Sequence, residues 1–272
     1  MQPLTTGHLI ETTKVPLSVC LITYNEEKNI LPCLESIDWA DEIVIVDSFS
    51  TDRTLELAAE YRDGVRILQH PLESFAQQKN AAIRASKNEW VLCLDADERV
   101  SPQLAQEIRK ELAGEEVPWE GFYLNRHAYY LGRWINHGGW FPDYKLFLFR
   151  KSKGAWGGVD LHARVLLEGR TKHLRGELWH YTYNGLAHQL RTIDNYSRIT
   201  AQEWIREGKR FRLGRMLFHP FFKFLETYFY KGGFRDGLPG LIIAFATSFY
   251  VFLKYAKQWE FTRITPDKGS QP

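Results

Sequence analysis

The feature that most limits the fold of this chain is the rhythm of its first hundred residues, where short apolar runs alternate with helix-like stretches. Leu17 to Thr23, Glu42 to Asp47, Val65 to Gln69 and Trp90 to Leu94 read as strands, with helices over Glu26 to Ile37, Asp52 to Tyr61 and Phe75 to Ser86 between them. That succession predicts βαβ units and a parallel sheet, because parallel neighbours need a crossover connection and a helix is the usual one. Runs such as Glu42-Ile-Val-Ile-Val-Asp47 are apolar throughout their interior, as expected of strands covered by helices on both faces. Each of three strands then closes on polar residues: Thr23-Tyr-Asn-Glu-Glu27, Asp47-Ser-Phe-Ser-Thr-Asp52 and Asp95-Ala-Asp-Glu98. Open α/β sheets bind ligands at these carboxyl ends, so a site is expected there.

Beyond Glu115 the texture becomes aromatic and glycine-rich, from Trp119 through Gly158, which reads as short strands and loops forming a second wall on the acceptor side. It changes again after Met216, to Phe-His-Pro-Phe-Phe-Lys-Phe, a Lys231-Gly-Gly-Phe-Arg-Asp-Gly-Leu-Pro-Gly240 stretch and an apolar run to Leu253. The expected organisation is an N-terminal tail (1–15), a ligand-binding half (16–115), an acceptor-side half of the same domain (116–210) and a C-terminal amphipathic helical segment (211–272). With 272 residues and 44% hydrophobic content the chain can bury a full core, which excludes disorder of the whole. A net charge of +2 excludes a global field of the kind that gathers nucleic acid. Cys20, Cys33 and Cys93 lie in apolar stretches without CxxC pairing, which argues against a disulfide framework or structural zinc and for a reducing cytosol. Met1 to Pro16 lacks the basic start and apolar run of a secretory signal, so the expectation is a cytoplasmic protein.

Asp95-Ala96-Asp97 sets two carboxylates on a turn after a buried strand, an arrangement of hard oxygen ligands for Mg²⁺ or Mn²⁺. A metal there can neutralise the leaving diphosphate of a nucleotide sugar. The neighbouring strand ends supply further donor-binding candidates: Thr23, Tyr24, Asn25 and Glu26 after the first strand, and Asp47 after the second, for base or ribose. Lys79 and Asn80, one element before the metal loop, are candidates for the phosphates or the base. Asp52 reads as a helix cap, because Ser50-Thr-Asp-Arg-Thr54 immediately precedes an amphipathic stretch.

Taken in order, Leu21-Ile-Thr-Tyr-Asn-Glu-Glu27, Val46-Asp-Ser-Phe-Ser-Thr-Asp-Arg-Thr54, Gln78-Lys-Asn-Ala-Ala82 and Leu94-Asp-Ala-Asp-Glu98 resemble the signature of family 2 glycosyltransferases. The resemblance implies a GT-A fold, Rossmann-like with a mostly parallel sheet and flanking helices, an inverting mechanism and a divalent-metal donor site. Pro142 to Arg150, Trp156 to His162, Trp179-His180-Tyr181 and Tyr230 to Gly237 resemble the bacterial lipopolysaccharide core subgroup. For that subgroup the donor expected first is UDP-glucose, and the acceptor an envelope glycolipid.

An inverting transfer needs a base to take the proton of the attacking hydroxyl. Relatives carry His-Glu where this chain has His162-Ala163, so Asp160 is the first substitute for the missing carboxylate and Asp143 the second, with His162 beside them. Asp143 can equally pair with Lys145 or Arg150, and His180 reads as structural. Leu238 to Leu253, opened by Pro239 and Gly240 and closed by Lys254, is shorter than the ~20 residues a spanning helix needs. It is therefore expected to lie at the inner face of the cytoplasmic membrane together with the aromatic stretch Phe218 to Tyr230, with Lys223, Lys231 and Arg235 toward anionic lipid. Two other classes compete. A haloacid-dehalogenase-type phosphatase would use Asp95 as nucleophile and Asp97 as acid, but needs a downstream acidic pair that the sequence lacks. A non-catalytic sugar-nucleotide-binding protein would keep the donor site and lose the base.

Overall fold

The computed structural model describes residues 15–114, 116–158 and 163–264. The opening rhythm folds as the spacing predicts: β1 (Val15–Thr23), α1 (Ile30–Ser36), β2 (Ala40–Asp47), α2 (Thr54–Tyr61), β3 (Val65–Gln69), α3 (Phe75–Ala85) and β4 (Trp90–Asp95). β1 lies between β2 and β4 and β3 beyond β2, all parallel. Interior positions such as Leu17, Leu21, Ile43, Ile45, Leu92 and Leu94 are fully buried, which is why these strands read as unbroken apolar runs. Then come β5 (Glu98–Val100), α4 (Pro102–Leu112), β6 (Gly121–Tyr130), β7 (Arg133–Trp134), β8 (Tyr144–Arg150), β9 (Gly154–Gly157), β10 (Arg164–Leu167) and β11 (Thr171–His180). The large sheet has the order β3-β2-β1-β4-β8-β6-β11-β5, with β7 on β6; β8 joins β4 antiparallel, so the parallel half is continued by a mixed one. α3 starts on Ser74, whose hydroxyl accepts the Gln77 N–H at 3.2 Å, and α4 on Ser101, which receives the Leu104 N–H at 3.2 Å.

The described chain divides into two compact units, 15–124 with 145–178, and 125–144 with 179–264. The division therefore runs differently from the boundaries at 115/116 and 210/211, because residues 145–178 return to the first unit. The first unit holds a single large core between the sheet and its helices; Cys20, Cys33 and Cys93 are free thiols within it.

The second unit is mainly helical: α5 (Leu186–Arg206), α6 (Leu213–Leu225), a π-helical turn at Glu226–Tyr230, a 3₁₀ turn at Gly233–Asp236 and α7 (Gly237–Arg263). α7 has 27 residues, which corrects the expected end near Lys254: the helix is long and apolar enough to cross a bilayer by length and composition. Pro239 falls in its first turn, where no i−4 hydrogen bond is lost. Lys254 does not end it because its ammonium lies 5.0 Å from the Trp204 ring and 5.3 Å from the Tyr250 ring. The Lys231 to Gly240 stretch is a structural knot. A Cβ on Gly240 would sit 1.9 Å from the Gly233 carbonyl oxygen, so the two segments can meet only through glycine. Buried Asp236 accepts the His137 N–H at 2.8 Å and the Asn136 N–H at 3.3 Å, which fastens the 133–139 loop to the start of α7.

Candidate active site

Strand register assembles the first cluster. Thr23 lies opposite Asp47, Ile22 opposite Asp95 and Asp47 opposite Gln69, so the polar ends of β1, β2 and β4 finish at one level of the parallel sheet. The loops that follow β1 and β2 are then laced together. Asn25 adopts a left-handed conformation (φ 54°), which its short polar side chain tolerates. Its N–H donates to Ser50 Oγ at 2.9 Å and its Oδ1 accepts the Thr51 N–H at 2.8 Å. The Glu26 N–H reaches Thr54 Oγ1 at 2.8 Å and the Glu27 N–H reaches Asp52 Oδ2 at 3.1 Å. Asp47 is fully buried and accepts both the N–H and the hydroxyl of Ser50, at 2.8 and 2.5 Å. Asp52 binds the Thr54 N–H at 3.0 Å from one residue upstream of the cap position. Burial opposes its ionisation, but donors from Thr54 and Glu27 prevail and hold the carboxyl below its usual range.

Lys79 and Asn80 have distinct roles. The Lys79 ammonium is buried, 2.8 Å from Asp95 Oδ1, and stands 4.3 Å from the Trp156 ring centre and 5.2 Å from that of Phe147. Burial works against its charge, yet Asp95 and Glu98 outweigh it and keep the ammonium above the usual lysine range. Lys79 is thus the fixed counter-ion of Asp95. The Asn80 amide donates to the Trp156 carbonyl at 2.8 Å and accepts the Trp156 N–H at 3.0 Å. Both ends of that amide hold β9, 76 residues away. Sequence reasoning gave no signal for Trp156 beneath Lys79, because nothing local to either residue encodes the pairing.

The cluster is electronegative. Burial first, then Asp97, Asp52 and Asp95, push the Glu26 carboxyl up to about 7 against the opposing hydrogen bond from Asn29. Among the described residues no three His, Cys, Asp or Glu side chains gather as a complete metal cage. That is compatible with Mg²⁺, which keeps several waters and takes one or two carboxylates together with substrate phosphates. Asp97 and Asp95 fit such a partial donor set, since they offer hard oxygens within the field that raises Glu26. The Asp95 N–H meanwhile donates to Glu98 Oε2 at 3.0 Å, which fixes the turn.

The base candidates divide differently. Asp160 and His162 lie outside the described residues. Asp143 belongs to the second unit, where Arg126 grips one of its carboxylate oxygens through Nε at 3.0 Å and Nη2 at 2.9 Å. Asp143 therefore has the ion pair that its charged neighbourhood suggests, with Arg126 from β6 as a partner. Arg150 instead stacks on Trp90 at 4.6 Å. Asp143, Arg126, His180, Thr182, Trp140 and Tyr183 line a cavity of about 220 Å³ in that unit. Aromatic rings with a held carboxylate and cation suit a saccharide, whose apolar ring faces stack and whose hydroxyls need paired donors and acceptors.

The profile of Glycosyl transferase family 2 matches residues 18–163. The chain belongs to this family. The matched segment contains every strand-end candidate described above. Over 257 residues the chain is 33% identical to the lipopolysaccharide core biosynthesis glycosyltransferase LpsC of Rhizobium meliloti (strain 1021), across 91% of this chain and 93% of LpsC. It is 27% identical to the uncharacterized glycosyltransferase RT0209 of Rickettsia typhi, across 89% of this chain and 86% of that one. Among solved structures, S. aureus TarS 1–349 in complex with UDP-GlcNAc shares 15% identity over 91% of each chain, with a TM-score of 0.47. The family 2 chain has the α/β architecture of the GT-A fold, and its C-terminal apolar helix follows the matched segment.

Proposed function

We propose that this family 2 glycosyltransferase moves a hexose, with glucose from UDP-glucose expected first, onto a lipopolysaccharide-core or related envelope glycolipid with inversion at the anomeric carbon. The observation that carries the donor assignment is the common level of the β1, β2 and β4 ends, with Asp95 locked to Lys79 at 2.8 Å. Thr23, Tyr24, Asn25, Glu26 and Asp47 are assigned to the nucleoside, and Asp97 with Asp95 to a Mg²⁺ or Mn²⁺ ion that, when bound, supplies charge neutralisation for the leaving diphosphate. Asn80 is assigned to support the donor site by holding Trp156 against Lys79 through both ends of its amide, and Ala96 sets the spacing of Asp95 and Asp97. The likeness to LpsC over 91% of the chain supports the acceptor class.

In the transfer, the acceptor oxygen forms its bond to the anomeric carbon while the bond to the phosphate oxygen breaks and UDP departs with that electron pair. The hydroxyl proton passes to a base. Asp160 is assigned that role ahead of Asp143, because Arg126 already engages one Asp143 carboxylate oxygen through two hydrogen bonds. His162, two residues on in the sequence, is assigned to the same catalytic group. The protein is assigned to the inner face of the cytoplasmic membrane, held peripherally through its C-terminal helices, where a lipid-borne acceptor is presented.

The test is transfer from UDP-[¹⁴C]glucose to purified core glycolipid. Asp160→Ala should retain UDP binding and lose transfer by at least a hundredfold, whereas Asp143→Ala should retain transfer within tenfold. Full transfer by Asp160→Ala contradicts the base assignment.

A further inference from the structure

An amphipathic helix of a water-soluble protein normally turns its apolar side inward. α6 does not. Its sequence, Leu-Gly-Arg-Met-Leu-Phe-His-Pro-Phe-Phe-Lys-Phe-Leu, has no buried residue, and Phe218, Phe221 and Phe222 are each more than half exposed. α7 carries a second outward stripe, Phe245, Phe249 and Phe252, at the i, i+4, i+7 spacing of one helix face. The Phe224 and Phe245 rings, 4.8 Å apart, join the two helices. Isolated exposed apolar residues need no explanation, but a set this concentrated marks an interaction surface.

Charge selects the partner. Residues 206–215 lead directly into α6 and hold Arg206, Lys209, Arg210, Arg212 and Arg215 against a single acid, Glu207. The chain as a whole is only +2, so the remainder is net acidic and the cations are concentrated at this entrance. Arg210, Arg212 and Arg215 are exposed. Aromatics beside a basic stretch match a surface of anionic phospholipid, with rings among the acyl ends and cations at the phosphates. Docking of a second copy through this face would bring two such basic stretches together.

The bonding of α7 fixes its attitude. Tyr250 bonds Thr200 at 2.9 Å, Lys257 bonds the Asp194 carboxylate at 2.7 Å and Gln258 bonds the Lys209 carbonyl at 2.7 Å, all toward α5 and the turn after it. Ser248 bonds the Pro220 carbonyl at 2.7 Å and Tyr255 bonds His219 at 2.9 Å, toward α6. Arg191, Asp194, Arg198 and Glu203 make α5 too polar to follow α7 into hydrocarbon. We infer that α6 and α7 lie flat in an anionic membrane surface, inserting Phe218, Phe221, Phe222 and the α7 stripe while residues 206–215 contact lipid phosphates, and that α7 does not cross the bilayer. The inference rests on the peripheral assignment above and deepens it by naming the inserted face, the cationic residues at the lipid phosphates and the attitude of the helix.

The full-length protein is tested by sedimentation with vesicles of neutral phosphatidylcholine or of phosphatidylcholine with 30% phosphatidylglycerol, with UDP binding read on the same preparation. The expected result is at least tenfold stronger partitioning to the anionic vesicles, release by alkaline carbonate and weakening by salt. Phe218→Ser with Phe221→Ser and Phe222→Ser should cut binding at least tenfold, and Arg210→Gln with Arg212→Gln about tenfold, both with unchanged UDP affinity and helical circular dichroism. Equal binding to neutral vesicles, resistance to carbonate, or a concentration-dependent dimer in place of vesicle binding overturns the inference. Loss of UDP binding by the parent protein would instead contradict the transferase reading and leave the membrane result standing.

Discussion

The two units bury their apolar side chains in opposite ways. In the first, strands β1, β2 and β4 are closed on both faces, and polar chemistry is confined to the edge where they end. In the second, α6 and the outer stripe of α7 present phenylalanine to the outside, while the polar side chains of α7 bond inward to α5 and α6. Each pattern is efficient for a different surrounding. A sheet core concentrates the hydrophobic effect and leaves a rigid rim on which loops can be laced. An outward apolar helix gains its stabilisation only when lipid replaces water around it.

The largest expected effect that tests this contrast comes from the closed core. Leu21 is fully buried in β1, so Leu21→Ala should lower unfolding stability by about 3 kcal/mol in urea titration. A cost below about 1 kcal/mol would break the comparison. Lys79→Met follows, at about 2 kcal/mol by the same measurement, because it strands Asp95 without its counter-ion. The figure is below that of a fully buried pair since the Asp95 side chain is 35% exposed.

A smaller effect is pH-dependent. The Glu26 carboxyl is raised from 4.5 to about 7, so the folded state binds a proton that the unfolded chain has released between those values. Its contribution therefore falls as pH rises through that window. Glu26→Gln should match the parent below pH 4.5 and exceed it above pH 7 by about 1 kcal/mol, after allowing for solvent screening. Parallel stability curves across pH 4.5 to 7 would contradict the buried acidic cluster. The smallest effect belongs to the open helices. Phe222 is 60% exposed, and Phe222→Ser should change stability in detergent-free buffer by less than about 0.5 kcal/mol. A loss comparable to that of Leu21→Ala would place Phe222 in a protein interface.

These differences also explain how much could be read in advance. The first unit was legible because its strands are contiguous and their order follows the chain, so local rhythm and strand-end polarity located Thr23, Asp47 and Asp95 together. What escaped was contact across long separations. The Asn80 grip on Trp156 and the Arg126 grip on Asp143 join residues whose own neighbourhoods give no hint of one another. The end of α7 was misplaced for a related reason: a lysine reads as a boundary in hydropathy, yet the Trp204 and Tyr250 rings accommodate Lys254 inside the helix. Likewise, the Tyr230 to Gly237 stretch carries a resemblance to the lipopolysaccharide core subgroup, and the structure gives it a packing role through Gly233 and Asp236, met by Gly240 of α7.

The donor site is the central claim, and calorimetric titration of UDP into the purified chain tests it most directly, with Mg²⁺ or Mn²⁺ and then with chelator. The account predicts binding that depends on metal and is lost at least a hundredfold in Asp97→Ala. UDP binding of equal strength with chelator, or no nucleotide binding under any metal condition, would contradict it.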